Sequence, residues 1–129
     1  MILSELVWSH ILEFAEQYSL DSCLKKTTNV CSVIILSNEL TRISIYIEEM
    51  DFYLYAEVEI FNSKGETLNK VRIDDRTSNR IVSLRKKGLR SWSKKVQDRI
   101  LNEMVGLYIS YIQKSIDEQF GLSTQQSEL

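Results

Sequence analysis

Glu57 and Glu59 are the carboxylates whose spacing comes nearest to chemistry. Two residues apart in a strand they share one face, the arrangement from which paired acids divide acid and base work or hold a cation together. The other acidic neighbours (Glu48 with Glu49, Asp74 with Asp75, Asp117 with Glu118) are adjacent in sequence and diverge. Even Glu57 and Glu59 lack a third ligand, and an open sheet face gives no burial that would raise a carboxyl pKa. His10 has no carboxylate or nucleophile paired with it locally and reads as a boundary histidine. Cys23 and Cys31 form no CxxC and have only His10 as a nitrogen partner, so a four-ligand zinc site is out of reach and both read as buried structural thiols. Gly65, Gly88, Gly106 and Gly121 lie too far apart for a phosphate loop. We therefore expect no catalytic residue, no metal and no cofactor, and take the chain not to be an enzyme.

Binding chemistry is better represented. Tyr46 and Glu48 belong to one alternating stretch, Tyr53, Tyr55, Glu57 and Glu59 to the next, and antiparallel pairing would merge them into one aromatic and acidic patch. Tyrosine supplies broad amphipathic contact area and carboxylates pair with Lys or Arg of a partner. The competing reading is an ordinary solvated sheet face, where tyrosine serves as a good strand former. The second candidate is electrostatic. Net charge is −2 overall but −6 over residues 1–71, +7 over residues 72–95 and −3 over residues 96–129. Within the basic block, Arg85, Lys86, Lys87, Arg90, Lys94 and Lys95 are candidate polyanion contacts, with Trp92 as a stacking platform for a base. Against that stands a solvated helix start balancing the acidic sheet, with Trp92 as the first core residue of a long helix.

These residues need elements to hold them. Leu3, Leu6, Val7, Ile11, Phe14, Ala15 and Tyr18 recur at helical spacing, which predicts an amphipathic helix to about Tyr18. A polar stretch, 21–29, then leads to Val30–Leu36, apolar at nearly every position and read as a strand covered on both faces or central in its sheet. Residues 41–48 and 52–61 alternate at period two and predict half-buried strands, with Phe52, Leu54, Ala56, Val58 and Ile60 inward. Gly65 suits a hairpin, and the returning strand, 67–74, has an imperfect phase that suggests a bulge or an edge. Residues 77–87 read either as a short helix stopping at Gly88 or as a fifth strand, and we take the helix. From Ser91, the stripe Trp92, Val96, Ile100, Met104, Leu107, Tyr108, Tyr111 and Ile112 predicts one long helix, with Gly121 placed to end it. The expected fold is two-layer α+β: a four-stranded antiparallel meander covered by an N-terminal helix and a long C-terminal helix. A chain of 129 residues with 43% hydrophobic content supports one domain, expected over 1–122, followed by a disordered tail at 123–129. No leader-like segment and no long apolar run stands out, so the expectation is a cytoplasmic protein with no membrane partner.

In size, acidity and helix–sheet–helix plan, and in the surface residues Tyr46, Glu48, Tyr53, Tyr55, Glu57 and Glu59, the chain resembles the small bacterial immunity proteins of contact-dependent growth inhibition systems. That resemblance implies a non-enzymatic protein that binds a cognate toxin domain, often a cationic nuclease, and occludes its active surface. A nucleic-acid-binding or regulatory module acting through the basic block 72–95 is the alternative. A third reading is a secretion chaperone: the chain is also similar to type III secretion chaperones in length, acidity and opening helix, which implies a strand-strand-strand-helix-strand-strand-helix order.

Overall fold

The computed structural model describes the backbone of residues 2–127 and the side chains of residues 3–118. Along the chain run α1 (Ile2–Gln17), β1 (Asp21–Lys26), β2 (Cys31–Ser37), β3 (Thr41–Met50), β4 (Tyr53–Asn62), β5 (Thr67–Ile73), α2 (Asn79–Arg90) and α3 (Lys94–Ser127). The alternating residues of β3 and β4 do what their period demands. Ile43, Ile45, Ile47, Leu54, Ala56, Val58 and Ile60 are each 5% exposed or less, all on one side of the sheet.

The sheet has five antiparallel strands in the order β1-β2-β3-β4-β5, not four. The extra strand is β1, which lies in the stretch read as polar. Five of its six residues are exposed, so it carries no alternation; only Leu24 leans on the core. It is an edge strand held by its pairing with β2, from Asp21 opposite Ser37 to Lys26 opposite Ser32. Residues 77–87 are not a further strand: they belong to the Asp74–Thr77 turn and to α2, capped by Ser78 Oγ accepting from Arg80 N at 3.1 Å. Five consecutive strands also depart from the chaperone-like order.

The bulge expected near β5 is present. Ile60 pairs with Asn69 and Phe61 with Thr67, so Leu68 is left between them and is 59% exposed. Gly65, at φ +81°, closes the β4–β5 loop, where its N–H donates to Asn62 O at 3.1 Å. Asp51 takes the left-handed conformation, at φ +54°, in the tight β3–β4 turn.

α1 and α3 cover the same side of the sheet. Leu3, Val7, Ile11, Phe14 and Ala15 of α1 and Ile100, Met104, Val105, Tyr108, Ile112 and Ile116 of α3 join the strand residues in one core. Two polar contacts tie the layers together. Glu49 of β3 accepts from Leu3 N at 2.9 Å, satisfying a free donor at the start of α1, and the fully buried Tyr108 donates its hydroxyl to Leu54 O at 2.6 Å. Burial, together with the nearby charges of Asp75 and Asp74, pushes the Tyr108 pKa well above the usual phenol value. Ser32, on the inner side of β2, is fully buried and its hydroxyl has no partner among the described residues.

α3 does not stop at Gly121 but runs to Ser127. A glycine inside a helix costs about 1 kcal/mol and ends it only where the chain also turns left-handed. The tail expected at 123–129 is therefore helical to Ser127, and residues 128–129 lie outside the described residues.

Candidate functional site

With both packed helices on one side, the opposite side of the sheet is bare. Its residues are set out by register in rows across the strands. Lys25, Val33, Tyr46, Glu57 and Arg72 form one row; Cys23, Ile35, Ser44, Glu59 and Lys70 form the next. Cys31 faces Glu48, which faces Tyr55, and Met50 faces Tyr53. Five of the six residues expected to bind a partner thus meet in one area. Tyr53 sits at its end, beside the β3–β4 turn, and is 44% exposed.

The centre of this face is a hydrogen-bonded cluster. Tyr46 donates its hydroxyl to Glu48 Oε1 at 2.5 Å and stands 3.3 Å from Cys31 Sγ. Its ring meets Tyr55 edge to face, with centroids 6.2 Å apart. Tyr55 in turn donates to Glu57 Oε2 at 2.8 Å. Glu57 is paired with Lys70 at 3.0 Å and lies 3.8 Å from Arg72, while Glu59 accepts from Thr67 Oγ1 at 2.7 Å. At the far end, Arg42 lies 5.6 Å from the Phe61 ring centre, in cation–π range.

These contacts set the protonation of the cluster. The Tyr46 pKa is held far above the usual phenol value, chiefly by hydrogen bonds to Cys31 and Glu48 and then by burial. Tyr55 is pushed up to about 12, first by burial and then by its bond to Glu57. Burial opposes ionisation of Glu57, but the Tyr55 and Lys70 hydrogen bonds and the Lys70 and Arg72 charges outweigh it, so its pKa falls. At neutral pH Tyr46 and Tyr55 are therefore neutral phenols, each donating its proton to a neighbouring carboxyl group.

The expectation of an acidic patch needs correction. Strand β5, together with Lys25 and Arg42, brings cations onto the same face, and the Glu57 charge is answered inside the protein. The face has an aromatic and aliphatic centre and a rim of both signs. Val33 and Ile35 belong to that centre, half-buried on the bare side. For the apolar run 30–36, expected to be covered on both faces or central in its sheet, the second holds: β2 lies between β1 and β3, while the helices cover only one of its faces. Cys23 is exposed and Cys31 half-buried, so neither is the fully buried thiol expected.

The basic block divides in two. Arg72 lies beside Glu57, Arg80 bonds Glu103, and Arg85 bonds Asp75, which removes Arg85 from the candidate contacts. Lys86, Lys87, Arg90, Lys94 and Lys95 have no ion pair among the described residues and gather at the corner between α2 and α3. Trp92 is not a core residue: in the three-residue connection between the helices it is fully exposed. Among the described residues no group of three or more His, Cys, Asp or Glu is placed to hold a metal, and no helix is long and apolar enough to cross a membrane.

No protein-family model, curated protein or solved structure matches this chain.

Proposed function

We propose that this chain is a non-enzymatic immunity protein, acting in the cytoplasm, that neutralises a cognate bacterial toxin domain of nuclease type by laying its bare sheet face over the toxin's active surface. One observation carries the reading: a complete face of a five-stranded sheet is left uncovered by helices, and its side chains are already ordered by one another. A half-buried apolar centre, rigid tyrosines and a polar rim are the anatomy of a protein interface. Because Tyr46 and Tyr55 are fixed before a partner arrives, less side-chain entropy is lost on binding. Glu48 and Glu59, free of ion pairs among the described residues, are the carboxylates available to a partner's Lys or Arg.

The experiment is capture from the native host at high salt with the wild-type chain and with Tyr53→Ala/Glu59→Gln, which puts no like charge opposite Lys70 and spares the Tyr55–Glu57–Lys70 chain of contacts. The expected result is one stoichiometric polypeptide held by the wild type and lost by the variant. Expressed alone it arrests growth, and co-expression of the wild-type chain restores it. A captured polypeptide that is harmless, or that both chains hold equally, counts against the reading.

A further inference from the structure

The corner between α2 and α3 stands apart from the sheet face and has its own chemistry. Trp92, fully exposed, and Leu89, 65% exposed, project from it, although an indole loses more by facing water than almost any other side chain. The corner is braced by hydrogen bonds. Gln97 donates through Nε2 to Ser91 O at 2.8 Å, Ser91 N–H donates to Gly88 O at 3.3 Å, and Ser93 Oγ accepts from Val96 N at 3.4 Å. Beside it, between the two helices, lies an open groove of about 410 Å³ whose floor is Leu84, Val96 and Ile100 and whose walls include Lys87, Arg90 and Arg99. Asp98 is the only carboxylate between Arg76 and Asn102; Glu103 lines the groove but is bonded there to Arg80, and Asp75, outside it, is bonded to Arg85. Glu48, Glu57 and Glu59 lie on the opposite side of the sheet and do not face this approach, and Glu49, on the helix side, is bonded to Leu3 N of α1.

We infer that this corner binds single-stranded nucleic acid, with phosphates against Lys87, Arg90 and Arg99 along the groove and a base stacked on Trp92. A cationic groove beside an exposed aromatic platform, here the residue next to Ser91 of the groove lining, is the arrangement that takes unpaired strands of any sequence. An anionic bilayer suits it less well. A membrane meets only the convex tip, where Trp92 and Leu89 give little apolar area to insert, and it leaves the groove cations unused. The inference uses residues separate from the sheet face, so the failure of either leaves the other standing.

The test is a fluorescence-anisotropy titration of the full chain with a labelled oligothymidylate as KCl is raised, alongside co-sedimentation with phosphatidylserine vesicles. Binding should weaken with salt at a slope of about −0.7 per phosphate contact, and tryptophan emission should be quenched. Trp92→Ala should weaken binding about ten-fold or more. Lys87→Ala/Arg90→Ala should flatten the slope by about 1.4, while Lys114→Ala, far along α3, should change neither. Circular dichroism checks that each variant is folded, and the exposure of all these side chains favours that outcome. No binding at low salt, or binding indifferent to Trp92→Ala and to the double variant, overturns the inference. So does retention on vesicles that depends on Trp92 without matching oligonucleotide binding.

Discussion

Replacing Gly88 with alanine sets two effects of opposite sign against each other. Gly88 is buried in α2, and a Cβ built there would stand 2.5, 2.6 and 2.9 Å from Cε1, Cδ1 and Cζ of Phe52. Carbon contacts are comfortable at about 3.5–4.0 Å, so the ring must retreat by about 1 Å. Its room is limited, because Phe52 follows Asp51, at φ +54°, in the tight turn that joins β3 to β4. Overpacking of this kind costs about 1–3 kcal/mol, whereas alanine in place of glycine inside a helix gains about 1 kcal/mol. Gly88→Ala should therefore destabilise by about 0–2 kcal/mol. Phe52→Ala removes a half-buried ring at a cost of about 2 kcal/mol, below that of a fully buried phenylalanine. With the ring gone, Gly88→Ala should instead stabilise by about 1 kcal/mol. The assay is urea unfolding of the four chains by circular dichroism, read as a double-mutant cycle with a coupling of about 1–3 kcal/mol. If Gly88→Ala stabilises by about 1 kcal/mol with and without Phe52, the close seating of α2 against this turn is refuted.

Tyr108→Phe should destabilise by about 1–3 kcal/mol in the same assay, because it leaves Leu54 O without the hydroxyl that reaches it at 2.6 Å. Ser32→Ala should be neutral or stabilise by about 1 kcal/mol, since it deletes a fully buried hydroxyl that has no partner among the described residues; a clear loss would reveal a hydrogen bond there. In alkali the sign follows from Tyr55, whose pKa rises from 10.0 to about 12 on folding. Below the lower value the phenol is protonated in both states. Between the two values the unfolded chain ionises first, so stability falls with pH, and Tyr55→Phe should make that fall shallower in urea midpoints taken across the window.

The central layer of the fold is written in the sequence because period two admits one solution where one side is buried: Ile43, Ile45 and Ile47 against Leu54, Ala56, Val58 and Ile60 set which side of β3 and β4 faces the core, and the tight turn at Asp51 fixes their register. Strand β1 has no such signal. Its residues are exposed on both sides, and it exists because β2 offers it a row of backbone partners. Val33 and Ile35 fit the central-strand reading of their run, since β2 lies between β1 and β3, but not the reading that both faces are covered. A continuous apolar run says that both sides avoid water, but here one side does so by mutual cover of neighbouring side chains on an open face, not beneath a helix. Trp92 shows the limit of periodicity at an element's end. It lies in phase with Val96 and Ile100, yet the chain leaves the helix before reaching it, and a residue outside the helix has no face.

The site was half legible in the same sense. Alternation placed Tyr46, Glu48, Tyr53, Tyr55, Glu57 and Glu59 on one surface, and the structure brings them there. The cations that answer Glu57 were hidden, because their presence depends on β5 pairing beside β4 with Lys70 and Arg72 opposite Glu59 and Glu57. A charge tally along the chain cannot see a partner one strand away. The acidic reading of residues 1–71 therefore becomes a mixed rim once the sheet is folded.

The central claim, that the bare face is where a toxin domain docks, is tested most directly by calorimetric titration of the captured partner with the wild-type chain and with Tyr53→Ala/Glu59→Gln, both shown to be folded. The account predicts a loss of about 1–3 kcal/mol, or about five-fold to more than a hundred-fold in Kd, with unfolding midpoints nearly unchanged. Equal affinity for the two chains would contradict it and take the sheet face out of the interface.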